Sequence, residues 1–205
     1  MRLARFTLAL PLALLLAACA VPSRPAAQAV HDFGVLDAVA APAGIAALRS
    51  VEVQPAPWLA GTAIGYRLLQ VQPTRRQVYA ESRWAAPPAP LVELALRRAL
   101  GPGQGVCRLR IELDEFAQVF GPGDDSRGVI EARASLLPPR AEQTVASRAF
   151  SLSRPAPAAD AAGGVVALQA ATRDLARELA GWLNGLNEEG AAPADVRKPR
   201  ALCAP

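Results

Sequence analysis

Cysteine and histidine are scarce in this chain, and their positions decide which chemistry is open to it. There are three cysteines and one histidine in 205 residues. Cys19 follows Leu16-Ala17-Ala18, after a segment that carries Arg2 and Arg5 and runs apolar from Phe6 to Leu16. That run is too short for a bilayer span, which takes about 20 residues, but it suits a signal-peptide core. A cysteine directly after Leu-Ala-Ala resembles a bacterial lipobox, in which the thiol takes a diacylglyceryl group and becomes the first mature residue. Plain signal cleavage beside an incidental cysteine is the alternative. Acyl chains at ~0.8 kcal/mol per buried methylene would supply the membrane attachment that the mature chain otherwise lacks. Ala20, where an aspartate would favour inner-membrane retention, points to the outer membrane.

With Cys19 lipidated, Cys107 and Cys203 are the two remaining thiols, in a compartment that oxidises thiols. A Cys107–Cys203 disulfide would lay the Pro-, Ala- and Gly-rich tail, 187–205, back across the body. The alternative is a buried Cys107 acting as a small hydrophobe, with Cys203 a free thiol. His31, the lone imidazole, lies in no Gly-x-Ser-x-Gly context, so no base is at hand for a hydrolase nucleophile. No catalytic residue is expected, and the chain reads as a non-enzyme. Paired His/Cys spacings for a metal are lacking. Asp124 and Asp125 with Glu115 could collect calcium, yet their spacing is not that of an EF-hand loop, and a solvated turn is the better reading. Gly101-Pro102-Gly103-Gln104-Gly105 lacks the Gly-Lys-Ser/Thr of a phosphate loop. No metal and no cofactor are expected.

The elements that must position these residues centre on Cys107 to Leu137. Cys107, Leu109, Ile111 and Leu113 alternate with Arg108, Arg110 and Glu112, the signature of a half-buried strand. The phase slips by one at Asp114-Glu115, as at a bulge, and Phe116 and Phe120 take up the apolar side. Gly121 to Asp125 supplies a turn, and Ile130, Ala132, Ala134 and Leu136 alternate with Glu131, Arg133 and Ser135. The pair predicts an antiparallel hairpin whose apolar face needs a cover. Helical spacing over Pro87 to Leu100 and from Leu168 to Leu186 supplies it, with Arg173, Asp174, Arg177 and Glu178 outward. Further strands are expected at His31–Leu36, Leu48–Val53, Ile64–Val71, Gln77–Glu81 and Thr144–Leu152, with a turn at Gln72-Pro73-Thr74-Arg75. The expected fold is α+β: a single domain with an antiparallel or mixed sheet covered by two helices. Boundaries are a signal peptide at 1–18, a Pro/Ala-rich tether at 19–30, the domain at 31–186 and the tail at 187–205.

The formal charge of +4 falls by two once Arg2 and Arg5 leave with the signal peptide. Lys198 is the only lysine among 22 basic residues, and the arginines are dispersed among acids. No stripe tracks a phosphate backbone, so nucleic acid is excluded as a partner.

Taken in order behind the lipobox, several short motifs carry a resemblance. They are Asp32-Phe33-Gly34, Trp58-Leu59, Tyr66-Arg67, Tyr79 and Ser82-Arg83-Trp84-Ala85-Ala86-Pro87-Pro88. Further on come Glu112-Leu113-Asp114-Glu115-Phe116 with Phe120, Ser126-Arg127-Gly128, Gly163 to Leu168, and Trp182-Leu183. Over 31–186 the chain resembles the ABC-type transport auxiliary lipoproteins, partners of mammalian-cell-entry (MCE) domain proteins in lipid transport such as the paraquat-inducible system. His31 departs from the aromatic found there. The resemblance implies a periplasmic, non-enzymatic subunit that helps an MCE protein bridge the envelope. It lends no catalytic residues. A periplasmic lipid carrier, which would need an apolar cavity, and an envelope scaffold with another partner are the alternatives; homo-oligomerisation is left open. Aromatics beside prolines and a bulge displaying acids place the expected partner-binding residues at Arg83, Trp84, Glu115, Phe116 and Phe120.

Overall fold

The computed structural model describes residues 27–34, 48–101, 105–123, 125–140, 143–186 and Cys203. Its strands are β1 (Ala29–His31), β2 (Leu48–Pro55), β3 (Ala63–Leu68), β4 (Gln72–Trp84), β5 (Cys107–Phe120), β6 (Ser126–Leu137) and β7 (Ala146–Pro155). The helices are α1 (Pro88–Leu100) and α2 (Ala161–Gly185), with one 3-10 turn at Pro57–Leu59. Together they form a single α+β domain, a mixed seven-stranded sheet with two helices.

The hairpin of β5 and β6 is the axis. Its antiparallel ladder runs from Arg108–Leu137 to Phe120–Ser126, and its register shifts between Leu113 and Glu115. The loop closes where the Gly121 N–H donates to the Asp125 carbonyl at 2.8 Å, and Gly123 takes φ 65°, a conformation glycine adopts at no steric cost. β7 extends the sheet antiparallel to β6.

The far edge of β5 is shared. β2 runs parallel to it from Leu48–Cys107 to Pro55–Leu113, and β3 runs parallel to it only over Tyr66–Gln118 to Leu68–Phe120. The bulge at Asp114 is where one partner gives way to the other. There the Ala56 N–H donates to the Leu113 carbonyl at 2.9 Å, and the Trp58 indole N–H donates to the Asp114 carbonyl at 3.1 Å. The connector thus satisfies carbonyls that the interrupted ladder would strand. β4 pairs antiparallel with β3, and β1 adds parallel to the end of β4 through Ala29–Ser82 and His31–Trp84.

Both helices cover one face. Val92, Leu96 and Leu100 of α1, with Leu168, Leu175, Leu179 and Leu183 of α2, bury against Leu109, Ile111, Leu113, Ile130 and Leu136. The prolines that open α1 cost it nothing, because the first turn has no N–H partners to lose, and Gly101 at φ 74° ends it. The N-cap of α2 is Asp160, whose carboxylate accepts from the Gly163 N–H at 2.7 Å. Glu93 and Arg97 of α1 reach to the edge of β2 that faces away from β5. The Val53 N–H donates to Glu93 at 3.0 Å, and Arg97 donates to the Val51 carbonyl at 3.3 Å. Side-chain caps of this kind blunt an edge strand.

Where α2 crosses β6, only glycine fits. A Cβ on Gly128 would stand 2.6 Å from the Leu168 nitrogen, and one on Gly164 would collide with the Gln118 side chain. Gly128→Ala should therefore lift α2 from the sheet and lower the unfolding free energy by about 1–3 kcal/mol in urea titrations. Gly61→Ala, where nothing lies within 4 Å, is the control and should leave the midpoint almost unmoved.

Several local expectations are corrected. β1 begins at Ala29, inside the expected tether, and the strand expected at His31–Leu36 ends at His31, with 35–47 outside the described residues. The turn between β3 and β4 is Leu69-Gln70-Val71, so Gln72-Pro73-Thr74-Arg75 is strand. Pro73 is tolerated because, among the described residues, β1 pairs only with the last residues of β4 and no ladder partner meets the outer edge there. β7 runs from Ala146 to Pro155, past the expected strand end at Leu152. Asp174, expected outside, is buried, and its carboxylate is held by Arg154 of β7 and by Arg177.

Candidate functional site

The five expected partner-binding residues fall on two faces, because successive strand residues point to opposite sides. On the helix-covered face lie Trp84, Phe116 and Phe120. Trp84 is 0% exposed and Phe116 1%, and they meet Phe33 in a three-ring cluster with centroids 5.5, 5.6 and 5.9 Å apart. That corrects the expectation of a docking role for Trp84 and Phe116. They are core, and the sheet needs rings of this size to fill the space between β4, β5 and the segment after β1. Phe120 is partly buried, edge-on to Tyr66 at 5.9 Å.

On the opposite face, bare of helices among the described residues, lie Arg83 and Glu115. Arg83 Nη1 donates to the Trp84 carbonyl at 3.4 Å. Glu115 is held by two guanidiniums, Arg67 at 3.0 Å from β3 and Arg76 at 2.8 Å from β4. This carboxylate therefore clamps three strands together. Reversing its charge would set three guanidiniums against one another, so Glu115 is a structural residue and not only a surface acid. Arg76 also lies over the ring of Trp58, 5.8 Å from its centroid. Trp58 is 58% exposed yet fixed by that cation and by its bond to Asp114. The sequence flagged Trp58 only as an aromatic beside Pro57. The convergence of Arg67, Arg76 and Glu115 from three strands had no sequence signal.

Near the start of α2 lie several partly buried polar contacts. Tyr66 donates to Gln77 at 3.0 Å, Tyr79 donates to Gln118 at 2.7 Å, and Gln118 donates to Ser126 at 3.0 Å. Burial first, then Tyr66 and Asp160, push the Tyr79 phenol up to about 12. A phenol held neutral above its unfolded value stabilises the fold below about pH 10, and the contribution fades as pH rises toward 12. Thermal unfolding followed from pH 9 to 12 should show that loss, and Tyr79→Phe should flatten it.

The other expected sites divide. Cys19 and Asp124 lie outside the described residues. Cys107 opens β5 in the core, and the structure joins it to Cys203 with Cα atoms 5.0 Å apart. Among the described residues, no group of three His, Cys, Asp or Glu could hold a metal ion, and no helix is long and apolar enough to cross a membrane. A pocket of about 160 Å³ opens between Asp32–Gly34 and Leu91, Leu94, Ala95 and Arg98 of α1. It is smaller than the roughly 300–1,000 Å³ typical of small-molecule sites.

Known proteins place this architecture. A crystal structure of a Xanthomonas campestris protein of family model DUF330 superposes with TM-score 0.64 at 23% identity, covering 75% of this chain and 93% of that one. A second, described only as an uncharacterized protein, gives TM-score 0.58 at 15% identity, covering 77% of this chain and 99% of that one. At these identities both speak to the fold alone. No curated protein matches. The family model for the ABC-type transport auxiliary lipoprotein component matches residues 36–180, well over half of the chain. The chain belongs to the family of ABC-type transport auxiliary lipoprotein components.

Proposed function

We propose that this protein is the non-catalytic accessory lipoprotein of an MCE/ABC-type lipid transport system. In this reading it is anchored at the periplasmic face of the outer membrane through acylated Cys19 and docks the transporter's MCE-domain component. The observation that carries the reading is the family match over 36–180 behind the Leu16-Ala17-Ala18-Cys19 lipobox. Ala20 supports the outer membrane. The disulfide between Cys107 and Cys203 fits an exported chain.

Detergent-solubilised full-length protein, tagged at its C-terminus, should capture the MCE-domain protein of its own envelope. If cross-linked membranes yield none, the partner assignment falls, and capture of an unrelated envelope protein instead would favour the scaffold reading. Anchoring is tested separately. Cys19→Ser should move the mature protein from the membrane pellet to the soluble periplasmic fraction. A variant that still sediments with membranes in high salt would disprove acylation as the anchor.

A further inference from the structure

We propose that the bare face of the β1–β4–β3 lobe is a membrane-contact surface, laid on the lipid headgroups to which Cys19 pins the chain. The inference rests on the anchor reading above. Eight residue-to-residue steps lead from Cys19 to Ala27, where the described body begins. At ~3.3–3.6 Å per residue they reach no more than about 29 Å. The element the tether enters is β1, the outermost strand of the sheet at that side. Within such a radius, the lobe carrying β1 is the part of the body held closest to the bilayer.

The chemistry of that face fits a lipid surface. Register places Val30 opposite Arg83, Arg83 opposite Ala63, and Val78 opposite Gly65, all on the side away from the helices. Val30 is 53% exposed and Val78 55%, with Trp58 at the rim of the same face. The indole N–H of Trp58 is already spent on the Asp114 carbonyl, so its ring can leave water without stranding a donor. Tryptophan with arginine is the composition of a membrane–water interface. Arg67 and Arg76 share the single carboxylate of Glu115, leaving that triad net positive, and Arg83 adds a further cation toward anionic headgroups. Arginine can meanwhile bury its methylenes beside Val78 and Val30.

The test uses the acylated full-length protein in phosphatidylethanolamine/phosphatidylglycerol vesicles, with and without lipid brominated on its acyl chains. Bromolipid should quench tryptophan emission in the wild type. The quenching should vanish in Trp58→Phe and persist in Trp182→Phe, since Trp182 lies on α2 and packs on Phe150 of β7, on the helix-covered face. Arg83→Gln in a Cys19→Ser background should weaken association with the same vesicles about fivefold at low salt. Protein that floats with vesicles but shows no Trp58 quenching would overturn this inference and leave the anchor standing. Protein that does not float would remove the anchor and this inference together. If Trp58→Phe abolishes capture of the MCE-domain protein while wild-type emission is unquenched, the face belongs to a protein partner and the membrane assignment is wrong.

Discussion

Truncation of Trp84 to alanine should lower the unfolding free energy by about 3–5 kcal/mol, the range for removing a fully buried large aromatic. Trp84 has no exposed surface and touches both Phe33 and Phe116, so its loss opens a void that three separate segments line. Two backbone bonds lock the strand around it: the Trp84 N–H donates to Thr62, and the Ala85 N–H donates to His31. The walls therefore cannot easily collapse, which places the cost toward the upper end. Phe116→Ala should fall in the same range, and the double variant should lose less than the sum because the rings share one cavity. Chemical denaturation by circular dichroism reads these differences. Should either variant keep wild-type stability while losing transporter capture, the core assignment would be wrong and a docking role would return.

Removal of the disulfide is the second large effect. Cys107 and Cys203 are 96 positions apart, so the bond closes a loop spanning nearly the whole second half of the chain. On the chain-entropy model, a loop of about 100 residues is worth ~4.7 kcal/mol, and losses for native bonds usually run about 2–5. Cys203→Ala should cost about that much and leave Cys107 as a buried thiol. Cys107→Ala adds a small core cavity to the same loss, since Cys107 is wholly buried. Reduction of the wild type should reproduce the Cys203→Ala midpoint. Two thiols titrating in unreduced, denatured protein would show that the bond does not form.

What could be read in the sequence was local. The hairpin, its bulge and both helices announce themselves because each is a periodic pattern within one stretch, and the slip at Asp114 marks the bulge directly. Phe116 shows where neighbouring cues conflict. Its phase after the slip assigned it to the apolar side, while the acids and the bulge around it suggested display, and burial followed the phase. Trp84 misled for a related reason. Pro87 and Pro88 suggest an exposed helix start, but Trp84 itself still belongs to β4 and points under α1 and α2.

Pairings between distant strands left no trace. Nothing local tells that β2 and β3 share one edge of β5, because a parallel ladder is specified by side chains far apart in the chain. Arg67, Arg76 and Glu115 converge only once those strands are laid side by side, and Asp174 is buried only because β7 brings Arg154 to it. Turn chemistry also misdirected: Pro73 looked like a corner, whereas the actual turn, Leu69-Gln70-Val71, has neither glycine nor proline.

The shared edge of β5 divides the sheet into two cooperative units. On one side, β5, β6 and β7 with β2 are laced by long ladders and clamped under both helices. On the other, the described ladder to β5 runs only along Tyr66–Leu68 of β3, and side chains make the remaining ties: Arg67 and Arg76 on Glu115, Tyr79 on Gln118 and Trp84 on Phe116. Sub-global opening should follow that seam, so amides of β3 and β4 exchange with solvent ahead of those in β5 and β6. The body thus behaves as a firm slab with a hinged flap, and the flap carries Trp58's cation partner and the strand nearest the tether. Mechanical load from an anchored N-terminus would enter through β1 and pass to the end of β4, where Trp84 pins the flap to the core.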